Sequence, residues 1–404
     1  YALDEQVRRW EEHGHVAKYE FWDYLGPVLD ERGACCGAIV QDLVTMEVRA
    51  LRADALIIAS GGCGLIYGRS TMSMACTGSA ASRTFQAGVH YANGEFIQVH
   101  PTAIPAADKL RLMSESARGE GGRVWVPKTP QDARHPNKIP AAERYYFLEE
   151  RYPKYGNLVP RDIATREIFK VCTKEGLSVE KDRMCVYLDV SHLPRQELDR
   201  KLGGILEIYE KFQGVDPRDV PMKIFPAVHY SMGGLWCGYE RSSAGGLEVG
   251  SPRNHETNIP GIYAIGECDY HYHGANRLGA NSLIACIFSG LVTGTGVANR
   301  LKSQDGPVAA DRPSSLFDRA CQARQADFKA LLARDGKGGN PYEIHQELGR
   351  VMTAAATVVR HNPDLEAAIG KVEELRERAR RCSLSDTGQW TNQNVVFTRA
   401  LEDM

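Results

Sequence analysis

The chain has 404 residues, 43% of them apolar and 25% charged, with 49 basic against 51 acidic side chains. That length accommodates two or three domains and a full core. The near-zero balance excludes a general electrostatic pull toward nucleic acid, so anion binding must come from a local cluster.

Eleven cysteines are scattered, Cys35-Cys36 adjacent, without a Cys-x-x-Cys. This spacing argues against a zinc site, a ligated iron–sulfur cluster or a disulfide framework, so no metal is expected, and it fits a reducing compartment. The first residue is Tyr1, and a helical pattern runs up to Met404. A fragment of a longer protein is the reading adopted.

Leu3 to Glu12 reads as a charged amphipathic helix, followed by strand-like runs at 19–24, 38–40, 47–51 and 55–59, with a turn at Asp30 to Gly33. The last run enters Ser60-Gly-Gly-Cys-Gly64. Backbone at Gly61 and Gly62 can approach a pyrophosphate or flavin closely, although the third fingerprint glycine is missing and an ordinary strand-end turn is the plain alternative. Residues 71–92 read as small and helical.

From about His100 to Phe225 proline and charge increase, and helices over 141–151, 161–174 and 195–212 alternate with loops, as in an inserted cap. Within it, His100-Pro-Thr102 can set two donors toward one ligand, or be a satisfied loop. In Ser114-Glu115-x-x-Arg118-Gly-Glu-Gly-Gly122, Glu115 and Arg118 share a face if the turn is helical, whether as a site or as a surface ion pair. Pro160-Arg161-Asp162 opens a helix with an arginine that opposes the macrodipole, which calls for a compensating anion or for solvent.

Residues 226–300 return to strand, Gly-rich turn and apolar helix. His229-Tyr-Ser-Met-Gly-Gly234 reads as a strand entering a tight turn. Gly261 to Glu267 gives a strand ending in an acidic residue that can hold ribose hydroxyls. His273-Gly-Ala-Asn-Arg277-Leu-Gly-Ala-Asn281-Ser282-Leu283 then carries one arginine into a helix entrance, where a planar fork can meet a carboxylate. The run 283–298, broken by serine, threonine and glycine, reads as a buried helix rather than a membrane span. Gly294-Thr-Gly296 falls inside it and is discounted as a fingerprint. A linker at 303–314 precedes amphipathic helices with stripes Ile344, Leu348, Val351, Ala355, Val358 and Leu365, Ile369, Val372, Leu375.

In this order the five segments resemble the flavoprotein subunit of succinate dehydrogenase and fumarate reductase. The resemblance covers essentially the whole chain. It implies an α/β fold: a partial Rossmann-like FAD-binding domain (1–98 and 227–302), an α+β capping domain (99–226) and an incomplete C-terminal helical domain (315–404). It implies FAD-dependent oxidation of succinate to fumarate, or the reverse, with hydride to flavin N5. Arg161 would be the proton shuttle, with Arg118 and Glu115 as its relay. His229 and Arg277 would hold one substrate carboxylate; His100, beside Thr102, and Ser114 the other, with Ser114 standing where the family usually has Thr. Gly61, Gly62, Glu267, Asn281, Ser282 and Leu283 would face FAD. Ser79 stands where many relatives have Asp.

The Thr77-Gly-x-Ala80, Asn93-Gly-Glu-Phe96 and Gly266-Glu-Cys-Asp269 forms look most like the bacterial branch that pairs with a diheme cytochrome b. The implied partners are therefore an iron–sulfur subunit and a membrane cytochrome b anchor. The implied location is peripheral, on the cytoplasmic face of the bacterial inner membrane, with no span of the chain's own. The family's first FAD-binding segment and its flavin-linking histidine are expected upstream of Tyr1, so the 404 residues alone are expected to bind FAD poorly and to be inactive. L-Aspartate oxidase, with the same fold and most of these motifs, is the alternative enzyme. A non-catalytic scaffold with the same fold is the alternative of another class.

Overall fold

The computed structural model describes residues 1–106, 110–181, 183–304, 308–334 and 339–404. Two short parallel strands, Leu56–Ile58 and Ile262–Ala264, form the link between distant parts of the chain. Each ends in the glycine-rich turn expected of it: Ser60 to Gly64 after the first, Gly266–Cys268 after the second. Ile58, Ile262 and Ala264 are buried with Val89, Leu235 and Cys237. A three-stranded antiparallel sheet, Trp22–Leu29, Cys35–Asp42 and Val48–Arg52, lies alongside, hinged at the expected Asp30 turn.

The cap differs from expectation. Its centre is a six-stranded antiparallel sheet in the order Arg111–Leu112, Ile97–Ile104, Met222–Ser231, Val186–Asp189, Arg123–Pro127, Arg144–Tyr145. The strands Val186–Asp189 and Arg123–Pro127 and the end of Ile97–Ile104 are buried at successive positions, so they lack the alternation that marks a half-exposed strand. Helix Arg195–Gln213 covers the sheet with Leu198, Leu202 and Leu206, packed into one core with Val124, Leu188 and Ile224. The expected helix 141–151 is instead a 3-10 turn (Ala141–Glu143), the edge strand Arg144–Tyr145 and a short helix, Phe147–Arg151. The run of aromatic residues at 145–147 favours the sheet edge. The expected boundaries at 98/99 and 226/227 fall inside the two longest strands of this sheet.

Residues 71–92 hold helix only at Ser79–Gln86. Before it, Ser70 bridges to Val228 and the Thr71 N–H donates to the Val228 carbonyl, so the segment joins the cap sheet instead.

The apolar helix spans Asn281–Lys302. One face, with Ala285, Ser289, Val292, Thr293 and Gly296, is buried. A Cβ on Gly296 would lie 2.6 Å from the Ser251 carbonyl oxygen, so the backbones there are in contact. The other face is not buried as expected: Leu283, Ile284, Ile287 and Leu291 are exposed. The apolar sequence all round predicted full burial, but only one side has partners among the described residues. By length and composition the helix could cross a membrane.

Helices Ser314–Leu332, Pro341–Ala355, Asn362–Ala379 and Gln393–Asp403 complete the chain. Part of the expected linker 303–314 lies outside the described residues. Ile344, Leu348 and Leu375 are buried as their stripes require, whereas Ile369 is exposed and Val358 lies beyond the helix end. This bundle docks through His345 Nε2 to the Leu65 carbonyl (2.9 Å), Thr353 to the Tyr67 carbonyl (2.8 Å) and the buried Arg83–Asp403 pair (2.7 Å).

Candidate functional site

The two long cap strands run antiparallel from the nucleotide-side turns, with Ala227 opposite His100 and Tyr230 opposite Gln98. The register shifts between Val228 and Tyr230, leaving His229 as the extra residue of a bulge. Bulges re-aim a side chain. Here the His229 ring meets the His100 ring edge-on, centroids 4.9 Å apart. His229 Nδ1 lies 2.7 Å from Thr71 Oγ1. His100 is fully buried; its Nδ1 lies 3.1 Å from Thr102 Oγ1, and its Nε2 has no partner among the described residues.

Three arginines gather around one carboxylate. Arg161, first residue of helix Arg161–Phe169, donates to Glu115 Oε2 from Nε (2.9 Å) and Nη2 (2.6 Å). Glu115 is thus the anion that offsets the arginine at the helix start. Buried Arg118 donates to Glu115 Oε1 (3.0 Å) and to the Asn157 and Val159 carbonyls. Gln98 joins the third arginine: its Oε1 accepts from Arg161 Nη1 (3.2 Å) and its Nε2 donates to the Arg277 carbonyl (2.7 Å). The Arg277 guanidinium stacks 4.5 Å over Tyr230 and donates to Ser282 Oγ (3.2 Å). Nε of Arg118 and of Arg277 remains without a partner among the described residues. Gly279 lies against the ion pair: a Cβ there would sit 3.1 Å from Glu115 Oε2 and 3.5 Å from Arg161 Nη2.

The electrostatics follow from burial and from this crowding. Burial raises the Glu115 carboxyl, but the Arg161 hydrogen bonds and the other guanidiniums outweigh it and hold it below its ordinary value. Burial and nearby positive charge lower both Arg118 and Arg277. Burial, then Arg277 and Arg161, pull the His229 ring down to about 3, and burial with the His229 neighbour holds His100 well below its usual range. Both imidazoles are therefore neutral near pH 7. Three guanidiniums (Arg118, Arg161, Arg277) less one carboxylate (Glu115) leave two positive charges uncompensated within the group.

Next to this cluster is a pocket of about 290 Å³ whose wall includes Gly61, Gly62, Thr77, Gly78 and Glu267. A Cβ on Gly62 would lie 2.4 Å from Glu267 Oε1 and 2.6 Å from Ser231 Oγ, so only bare backbone fits there. Glu267 Oε1 accepts the Ser231 N–H (2.9 Å), and burial pushes its carboxyl up to about 7. A backbone-lined wall and a buried acidic acceptor at a strand end fit the phosphate and ribose portions of FAD.

Asn281, Ser282 and Leu283 form the first turn of the apolar helix after Ala280, whose φ is +64°. Ser282 bonds Arg277, and Leu283 is exposed. Ser114 bonds Ser116 within its own turn. Ser79 bonds Thr77 (2.9 Å). Sequence reading missed Gln98, Thr71, Tyr230 and Gly279. Gln98 had one available signal, since it is two residues before His100 and so on the same strand face.

Residues 18–283 match the domain family described as "FAD binding domain", and residues 345–404 match "Fumarate reductase flavoprotein C-term". The chain belongs to the succinate dehydrogenase and fumarate reductase flavoprotein family. It is 52% identical over 404 residues to the succinate dehydrogenase flavoprotein subunit of Bacillus subtilis, covering all of this chain and 64% of that protein. It is 29% identical over 398 residues to the fumarate reductase flavoprotein subunit of Escherichia coli, covering 97% of this chain and 60% of that one. A solved structure of the E. coli quinol fumarate reductase flavoprotein superposes with a TM-score of 0.82 at 26% identity, over 99% of this chain and 64% of that one. The chain thus spans under two thirds of the length of these family members. The fold class matches expectation, and FAD is the cofactor that the matched domain describes.

Proposed function

We propose that this chain forms the dicarboxylate site of a flavoprotein that interconverts succinate and fumarate. The observation that carries this reading is the charge count of the arginine cluster. Two uncompensated guanidinium charges, flanked by two neutral imidazoles, match a small dianion. Arg277 with His229 would hold one carboxylate, and His100, supported by Thr102, with Ser114 the other. Hydrogen bonds to charged groups contribute roughly 1.5–3 kcal/mol each, and their larger effect is to fix the orientation of the reacting bond.

FAD, when bound, supplies a two-electron hydride acceptor or donor. Gly61, Gly62 and Glu267 would hold it from the pocket side, and Asn281, Ser282 and Leu283 from the helix entrance. Arg161 would hold or move the proton at the substrate carbon. A guanidinium has a pKa above about 12 and is a poor base in water. Its two hydrogen bonds to Glu115, with Arg118 behind, provide a relay through which the proton can pass. In the fumarate-reducing direction Arg161 needs only to act as a positioned acid.

The domain division at 1–98 with 227–302, 99–226 and 315–404 is part of this proposal. So are covalent attachment of FAD to a histidine, assembly with an iron–sulfur subunit and a diheme cytochrome b anchor, electron delivery to quinone and a place on the cytoplasmic face of the membrane. The relatives' description as flavoprotein subunits supports a bound flavin and assembly with other subunits.

The test is a comparison of succinate and L-aspartate oxidation by the full-length protein. Succinate turnover with negligible aspartate turnover is expected; aspartate turnover without succinate turnover would refute the proposal.

A further inference from the structure

Outside the arginine cluster, four metal-ligating side chains converge behind the turn that carries Glu267. Ligand atoms of Cys237, His255, Asp269 and His271 all lie within 4.8 Å of one another. Three separate loops supply them, two residues past Leu235, at the 253–257 turn and directly after Gly266–Cys268, so no sequence spacing marks the site.

The distances have the size of a coordination shell. Cys237 Sγ is 3.4 Å from His271 Nδ1. Asp269 Oδ1 is 3.8 Å from His271 Nδ1, and Asp269 Oδ2 is 3.8 Å from His255 Nδ1. Ligands about 2.0–2.3 Å from a tetrahedral zinc ion stand ~3.4–3.8 Å apart.

The protein alone leaves this cluster unsatisfied. The Asp269 side chain is fully buried; Oδ1 accepts the His271 N–H (2.9 Å), while Oδ2 has no partner among the described residues. Among the described residues its only ion-pair partners within 4 Å are His255 and His271, and no lysine or arginine reaches it. A carboxylate in such a place either stays protonated or meets a cation.

His255 is held ready. Its φ of +63° is a left-handed conformation rarely adopted by a residue with a side chain, kept by its N–H to the Gly238 carbonyl (2.7 Å). Its Nε2 lies 2.9 Å from Tyr272 Oη, the outer partner that a ligating histidine needs to present its other nitrogen.

We propose that Cys237, His255, Asp269 and His271 bind one divalent transition-metal ion, zinc by preference, through a thiolate, two imidazole nitrogens and a carboxylate. Mixed sulfur, nitrogen and oxygen donors in a closed set of four suit zinc in a structural role. Binding releases the Cys237 thiol proton and any proton on Asp269. The ion fastens the 266–271 turn to two other loops. It thereby positions Glu267, two residues before Asp269, and the segment leading to Arg277. The inference departs from the sequence-based expectation of no metal and does not depend on the proposed reaction.

The test uses the full-length protein, free of histidine tags and grown with zinc, with metal measured by plasma mass spectrometry after dialysis. About one zinc ion per chain is expected. Replacing it with cobalt(II) should give a thiolate-to-cobalt charge-transfer band in the wild-type protein. Cys237→Ser with His271→Gln should cut zinc content about tenfold or more, with the far-ultraviolet circular dichroism retained, while Cys321→Ser should leave it unchanged. Should the double variant fail to fold, the wild-type cobalt spectrum decides alone. Substoichiometric zinc without a cobalt–thiolate band, or unchanged zinc in a folded double variant, would overturn the site.

Discussion

Arg161 grips a single oxygen of Glu115, Oε2, with two of its nitrogens, at 2.9 and 2.6 Å, while Arg118 takes the other oxygen at 3.0 Å. One carboxylate therefore connects a helix-terminal arginine facing the site with an arginine buried in the cap. Glu115 sets the position of Arg161, and whatever displaces Glu115 displaces the proposed proton carrier.

Gly279→Ala tests that dependence without altering any charge. The added Cβ would stand 3.1 Å from Glu115 Oε2 and 3.5 Å from Arg161 Nη2, so the pair must yield by a few tenths of an ångström. Misplacement of about 1 Å can cost about a hundredfold in rate. We expect kcat for succinate in the full-length protein to fall by roughly three- to thirtyfold, with flavin content unchanged. Steady-state kinetics beside flavin absorbance would check this.

Gln98 bridges Arg161 and the Arg277 backbone, 3.2 and 2.7 Å away. Gln98→Met keeps the volume and removes both bonds. With a hydrogen bond to a charged group worth about 1.5–3 kcal/mol, kcat/KM should drop roughly ten- to a hundredfold. In a double-mutant cycle with Arg161→Gln, the two losses should not add; additive losses would show that Gln98 acts elsewhere.

Thr71→Val removes the hydroxyl 2.7 Å from His229 Nδ1. The ring then loses its fixed orientation in the bulge. KM for succinate should rise several-fold, about 1 kcal/mol for one hydrogen bond, with a smaller change in kcat. A change in kcat alone would contradict the assignment of His229 to binding.

His229 also gives a pH signature. Its folded pKa of about 3 lies below the unfolded value of about 6.5, so folding favours the neutral ring. That contribution is complete above pH 6.5 and is lost as pH falls from there toward 3. At about pH 5 the loss is at most about 2 kcal/mol, less for the ring's partial exposure. Calorimetric melting from about pH 7.5 down to pH 5 should show a smaller drop in Tm for His229→Gln than for the parent.

Much of the site was legible because its charged residues sit in short, fixed motifs. Pro160 before Arg161, the Glu115–Arg118 spacing and the small residues around Arg277 each have a local physical reason. Gln98, Thr71 and Tyr230 were not legible: they are polar or aromatic residues inside strands or turns, and only the pairing of strands 97–104 and 222–231 brings them to the arginines. The cap sheet was hidden for a related reason. Strands such as Arg123–Pro127 and Val186–Asp189 are too short and too uniformly buried to show a period, and surrounding proline and charge read as loop. The apolar helix at 281–302 misled in the opposite sense, since hydrophobicity all round does not reveal how many faces find a partner.

The most direct measurement is succinate–fumarate turnover by the full-length protein carrying Arg161→Gln, with bound flavin quantified in the same sample. A guanidinium that carries the proton predicts turnover reduced by about a thousandfold or more, toward the upper range of general acid–base effects, with parental flavin content and retained binding of a non-reacting dicarboxylate. Near-parental turnover in that variant would contradict the account.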